Sequence, residues 1–266
     1  MPNEFELWFL PHNLRAAYER AATLLKSVDF DILYLHAPRE LNWLVDELAL
    51  GAPYEQFMET VQKISNLRES LNSWEYRFKP ILLTIRGLRL RKPSLKIICY
   101  RSIFSENLSV KDAEDVAKLI LRTNVTGRVD VEEWRNVVSR IINNISSSVN
   151  EESDYIFKTW IKIGEGRKTV CLSDYPAREI IKRMRKFGIK AFLRYVFTPY
   201  CFMPLEVLIR EFIITDKRKL DISDERVTTL ARMHVEFVRE YILTSDNYDE
   251  AYFKWLRNVG QKLILS

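Results

Sequence analysis

Leu7-Trp8-Phe9-Leu10-Pro11-His12 and Ile32-Leu33-Tyr34-Leu35-His36 are two short apolar runs that each end in a lone histidine. Between them, Ala17, Ala21, Leu24 and Leu25 recur at helical spacing within Leu14 to Val28, with Asn13 as the expected N-cap. Two strands joined by a helix normally run parallel. Ligands of open parallel sheets bind at the carboxyl ends of the strands. Both histidines are therefore expected at adjacent strand ends, where chemistry would be placed.

The rest of the chain extends this pattern. Leu95 to Tyr100 and Lys168 to Leu172 read as the third and fourth strands, and Ala191 to Phe197 as a fifth. Tyr54 to Ile85 is helical in pattern, as are Asp130 to Ile145, Ser153 to Ile163 and Pro176 to Phe187. Ser109 with Asp112 resembles a capping box. Ser146 to Asn150 reads as a linker, Cys201 to Ile214 is apolar without a clear period, and two amphipathic helices close the chain. The expected fold is α/β, with a mainly parallel sheet of four to five strands flanked by helices. A helical insertion falls around 54–92. The expected domains are 1–215 and a C-terminal helical extension, 216–266.

Composition narrows the class. Of 266 residues, 47% are hydrophobic and 29% charged, which suits a globular chain with a full core. Net charge is +5, a mild basic excess. Frequent Lys, Arg and Glu lean towards a thermophilic source. Cys99, Cys171 and Cys201 are odd in number and far apart, which implies buried reduced thiols. No signal peptide or membrane-length apolar stretch is present, so the expected location is the cytoplasm.

The candidate site residues are His12, His36, Arg101, Asp174 and Tyr175, which all follow or end strands. His12 and His36 are also the candidate metal ligands. No cofactor is otherwise expected, a divalent metal on these two rings being the one that the residue types allow. His234, in a helix, is read as structural. Arg86, Arg89, Arg91 and Lys92 form one basic segment. Lys182, Arg183, Arg185 and Lys186 form another, with Arg178 before it and Lys190 and Arg194 beyond. Either could touch phosphates or serve as a solvated face. Trp43, Trp74, Trp134, Trp160 and Trp255 are expected in core packing.

In order and hydrophobic pattern, residues 5 to 190 resemble the TraB/ChaN/erythromycin-esterase-like group of α/β proteins. Phe9-Leu10-Pro11-His12 is similar to the group's first strand and its histidine turn. Tyr34-Leu35-His36-Ala37-Pro38-Arg39-Glu40 looks like the second strand, where the group carries a carboxylate and this chain has His36. Trp74 to Arg101 resembles the long helix and third strand. In the last motif Leu172 stands for the glycine and Tyr175 for the histidine. The resemblance implies metal binding or hydrolysis at these positions, and the replacements imply that the group's activity is not carried over intact.

The leading expectation is a non-catalytic, pseudoenzyme-like interaction protein or subunit with a protein partner and no membrane. The first alternative is a metal-dependent hydrolase with an altered site at the strand ends, with Arg101 binding an anion. The second is a nucleic-acid-associated accessory protein that uses the basic helices.

Overall fold

The computed structural model describes residues 4–64, 71–174, 177–218 and 221–260. Strands β1 (Glu4–Phe9), β2 (Ile32–Pro38), β3 (Lys96–Arg101), β4 (Lys168–Ser173) and β5 (Lys190–Tyr195) form one sheet. All neighbours are parallel, in the order β3-β2-β4-β1-β5. Every residue of β2 is buried, which suits a strand covered on both faces. Phe5, Leu7 and Trp8 of β1, Tyr34 of β2 and Tyr100 of β3 are among the large side chains buried in the sheet's core.

Ten α-helices accompany the sheet among the described residues. α1 (Arg15–Leu25) joins β1 to β2, and α2 (Asn42–Leu50), α3 (Tyr54–Lys63) and α4 (Leu71–Arg91) lie between β2 and β3. α5 (Ile103–Thr126) and α6 (Val131–Ile163) precede β4, and α7 (Ala177–Lys186) joins β4 to β5. α8 (Pro204–Arg218), α9 (Asp224–Phe237) and α10 (Tyr248–Trp255) follow. The α/β class, the parallel sheet and the helical insertion agree with expectation. None of these helices is long and apolar enough to cross a membrane.

The chain groups into two compact units, one of 1–107 with 147–198 and one of 108–146 with 199–266. The first holds the sheet. The second has a helical core around Trp134, Leu208, Val227, Leu230 and Ala231. The expected break at 215/216 falls within α8.

Several local expectations are corrected. Ser146 to Asn150 is no linker but lies inside the 33-residue α6. Buried residues lie on both sides of it, from Trp134, Val138 and Ile141 to Val149, Ile156 and Trp160, with Ile142 and Ile145 partly buried between. Three consecutive serines cost little on the exposed side of a helix so anchored. Ser109 lies within α5, which starts at Ile103. Leu14, not Asn13, is the N-cap of α1, and Asn13 takes φ 65°, a left-handed conformation that asparagine tolerates. The helical pattern of Tyr54 to Ile85 divides between α3 and α4, and 65–70 lie outside the described residues. Trp43 is exposed, whereas Trp74, Trp134, Trp160 and Trp255 are buried as expected.

Two glycines give opposite expectations. A Cβ on Gly164, just after α6, would lie 2.5 Å from Nε1 of the packed Trp160 ring. A Cβ on Gly87, exposed in α4, meets nothing within 4 Å. Gly164→Ala should therefore cost about 1–3 kcal/mol. Gly87→Ala should add about 0.5–1 kcal/mol through helix propensity. Urea unfolding of the two variants beside the parent checks both signs.

Candidate functional site

Strand order builds the site. β1 and β2 are not neighbours, contrary to the sequence-based expectation, because β4 lies between them. Phe9 of β1 pairs with Ser173 of β4, and Tyr34 of β2 pairs with Cys171. Asp174 follows at the end of β4, so it stands between His12, just beyond β1, and His36, near the end of β2. Its Oδ2 lies 3.0 Å from His12 Nδ1 and 3.6 Å from His36 Nδ1. One carboxylate oxygen thus joins both histidines.

Arg101 at the end of β3 completes the strand-end set. Its Nη1 is 3.3 Å from His36 Nε2, and its Nε is 3.1 Å from Glu106 Oε2 in the first turn of α5. Four of the five expected site residues, His12, His36, Arg101 and Asp174, therefore converge. The fifth, Tyr175, lies outside the described residues.

Three charged residues that sequence reasoning missed join them. Besides Glu106, Glu152 of α6 brings Oε2 to 3.9 Å from His36 Nε2, with no hydrogen-bond partner among the described residues. Arg77 of α4 places Nη1 3.3 Å from His12 Nδ1. Each sits on the inward stripe of its helix, between Val149 and Ile156 for Glu152 and between Trp74 and Ile81 for Arg77. A charge at an apolar stripe position was the signal that could have found them.

The protonation states follow from burial and neighbours. Burial opposes the charge on Asp174, but His36 and His12, with Arg101, outweigh it and hold the carboxyl well below its usual range. Burial pushes His36 down to about 4, with Arg101 adding to the fall and Asp174 opposing it. Burial and then Arg77 also lower His12, although its side chain remains 38% exposed. Burial raises Glu152 to about 8, with Asp174 adding to it. Burial also opposes charge on Glu106, but Arg101 and Arg77 hold its carboxyl low. At neutral pH the site thus has two neutral imidazoles, two ionised carboxylates and one protonated carboxyl.

The donor set does not fit a metal ion. Among the described residues no group of three His, Cys, Asp or Glu side chains is placed to hold one. A guanidinium nitrogen also stands 3.3 Å from a ring nitrogen of each histidine, where a cation would be repelled.

Six side chains of the two basic segments have local partners. Arg89 donates to the Leu95 carbonyl, Arg91 to those of Leu25 and Lys26, and Lys92 pairs with Asp29 and Asp31. Lys182 pairs with Glu179, Arg183 with Asp154, and Arg185 donates to the Ala191 carbonyl. Cys99, Cys171 and Cys201 are free and buried, as expected, and burial raises all three thiols. Compared with protein-family models, curated proteins and solved structures, the chain matches none.

Glu152 gives the site a pH signature. The folded protein keeps this proton up to about pH 8, whereas an unfolded glutamate releases it near 4.5. Its contribution is fully present below about pH 4.5 and is lost as pH rises to about 8, by roughly 3–5 kcal/mol. His36 acts in the opposite sense, adding stability as pH rises from about 4 to 6.5. Glu152→Gln isolates the first effect. The variant should match the parent near pH 4.5 and exceed it increasingly towards pH 8 in chemical unfolding. Parallel stability profiles would contradict the buried neutral carboxyl.

Proposed function

We propose that this chain is a hydrolase that works by general acid–base catalysis at the carboxyl end of its sheet, with His12 as the base. The observation that carries this reading is the 3.0 Å contact between Asp174 Oδ2 and Nδ1 of a histidine that stays 38% exposed. An ionised carboxylate on Nδ1 fixes the tautomer and leaves Nε2 as the basic nitrogen. Nε2 of His12 makes no hydrogen bond among the described residues. It is free to take a proton from an attacking water and to return it to a leaving group. His36 lacks this freedom, being buried with its two nitrogens set against Asp174 and Arg101.

The reading agrees with the hydrolytic activity implied by the resemblance to the TraB/ChaN/erythromycin-esterase-like group. It differs from the metal-dependent alternative in taking the proton-transfer group from the chain itself. The non-catalytic reading requires the same buried charges to persist without a reaction to serve.

Turnover of p-nitrophenyl acetate, p-nitrophenyl phosphate and bis-p-nitrophenyl phosphate provides the test. His12→Ala should lower the rate on the accepted probe by about 10²–10⁴-fold, and Asp174→Asn should lower it through loss of the tautomer. The parent's rate should fall with acid through a pKa below 6.5, as the lowered His12 requires. A parent rate no higher than that of His12→Ala on every probe would overturn the proposal in favour of the non-catalytic reading.

A further inference from the structure

We infer that Arg77, beside His12, is a receptor for an oxyanion, a carboxylate or phosphate group carried by the substrate next to the bond that His12 acts on. The inference rests on the hydrolase reading for what the anion belongs to, but not for its binding.

The argument begins with a conflict of donors. His12 Nδ1 lies 3.0 Å from Asp174 Oδ2 and 3.3 Å from Arg77 Nη1. Facing an ionised carboxylate, Nδ1 must carry its proton. Nη1 of Arg77 also carries protons, and a guanidinium does not release them. Two donors therefore face each other, and an N–H of Arg77 points at no acceptor.

The remaining surroundings supply neutral acceptors but no counter-charge in ion-pair contact. Arg77 Nε donates to the Ser73 carbonyl at 3.3 Å, and the guanidinium donates to the Tyr18 hydroxyl oxygen. Among the described residues no carboxylate lies within ion-pair distance of Arg77, whose residue is only 5% exposed. Arg101 is the contrast. It is as deeply buried, but Glu106 meets it at 3.1 Å. The anion-binding role that the sequence suggested for Arg101 thus passes to Arg77. A buried cation with no carboxylate in ion-pair contact is costly, and such a cost recurs where a ligand completes the site. The planar fork of arginine suits two oxygens of one oxyanion. His12, in contact with Arg77 and partly exposed, marks the side from which the oxyanion would arrive.

The full-length protein, titrated with sodium acetate, inorganic phosphate and, as a control, sodium chloride, tests this through the NMR signals of the His12 imidazole. Acetate, phosphate or both should shift them saturably while chloride does not, and the stronger anion tells a carboxylate substrate from a phosphorylated one. Arg77→Met should weaken the response roughly ten- to a hundredfold, the value of a hydrogen bond to a charged group. Arg77→Lys, which keeps the charge without the fork, should weaken it less and serves if the Met variant does not fold. No saturable shift with either oxyanion, or a shift unchanged in the Arg77 variants, would overturn the inference. Binding is read without a hydrolysable substrate, so loss of turnover in His12→Ala and loss of binding in the Arg77 variants are separate results.

Discussion

The site depends on a single carboxylate oxygen shared by two histidines. Asp174 Oδ2 reaches both rings because β4 lies between β1 and β2, and each strand delivers one residue to the same edge. Being ionised, it fixes the proton of His12 on Nδ1 and leaves Nε2 basic. Without it both imidazoles would face guanidinium groups with Glu106 as the remaining ionised carboxylate of the site. Neighbours then separate two similar rings. His12 keeps an exposed edge, whereas His36 is enclosed between Asp174, Glu152 and Arg101. The same residue type thus has two roles, set by access and not by basicity alone.

The residues at the strand ends were legible, and the arrangement that unites them was not. Apolar runs five to seven residues long mark the strands of a buried parallel sheet, and each run's end can be read directly from the chain. Strand order cannot be read this way, because pairing joins residues far apart in sequence. Asp174 and His12 are separated by 162 positions. The natural assumption that β1 and β2 are neighbours hid the reason for Asp174. Once β4 is placed between them, the clustering of polar strand ends follows from register.

Glu152 and the error in α6 share a cause. The stripe of α6 passes from Val149 to Ile156 through Glu152 and Ser153, both buried. Local polarity there reads as a break, and the serines before it strengthen that impression. The helix continues because its packed residues recur on both sides at three- and four-residue spacing, and tertiary packing outweighs weak local propensity. A buried glutamate on such a stripe is informative for the reason that it is misleading: it occupies a core position at an energetic cost. Arg77 on α4 is the same case with the opposite charge.

The charges also explain one another. Arg77 and Arg101 are balanced by Asp174 and Glu106 when Glu152 keeps its proton. Burial holds the proton on Glu152 to about pH 8, and Asp174 adds to this, because ionising Glu152 would place a third carboxylate among two cations. An oxyanion at Arg77 would add the same negative charge from outside. It would hold the proton on Glu152 more firmly and, by offsetting the guanidinium that now lowers His12, make that ring a stronger base. Anion binding and basicity are thus linked through one group, Arg77, so a base kept weak in the empty site would strengthen when the ligand that needs it arrives.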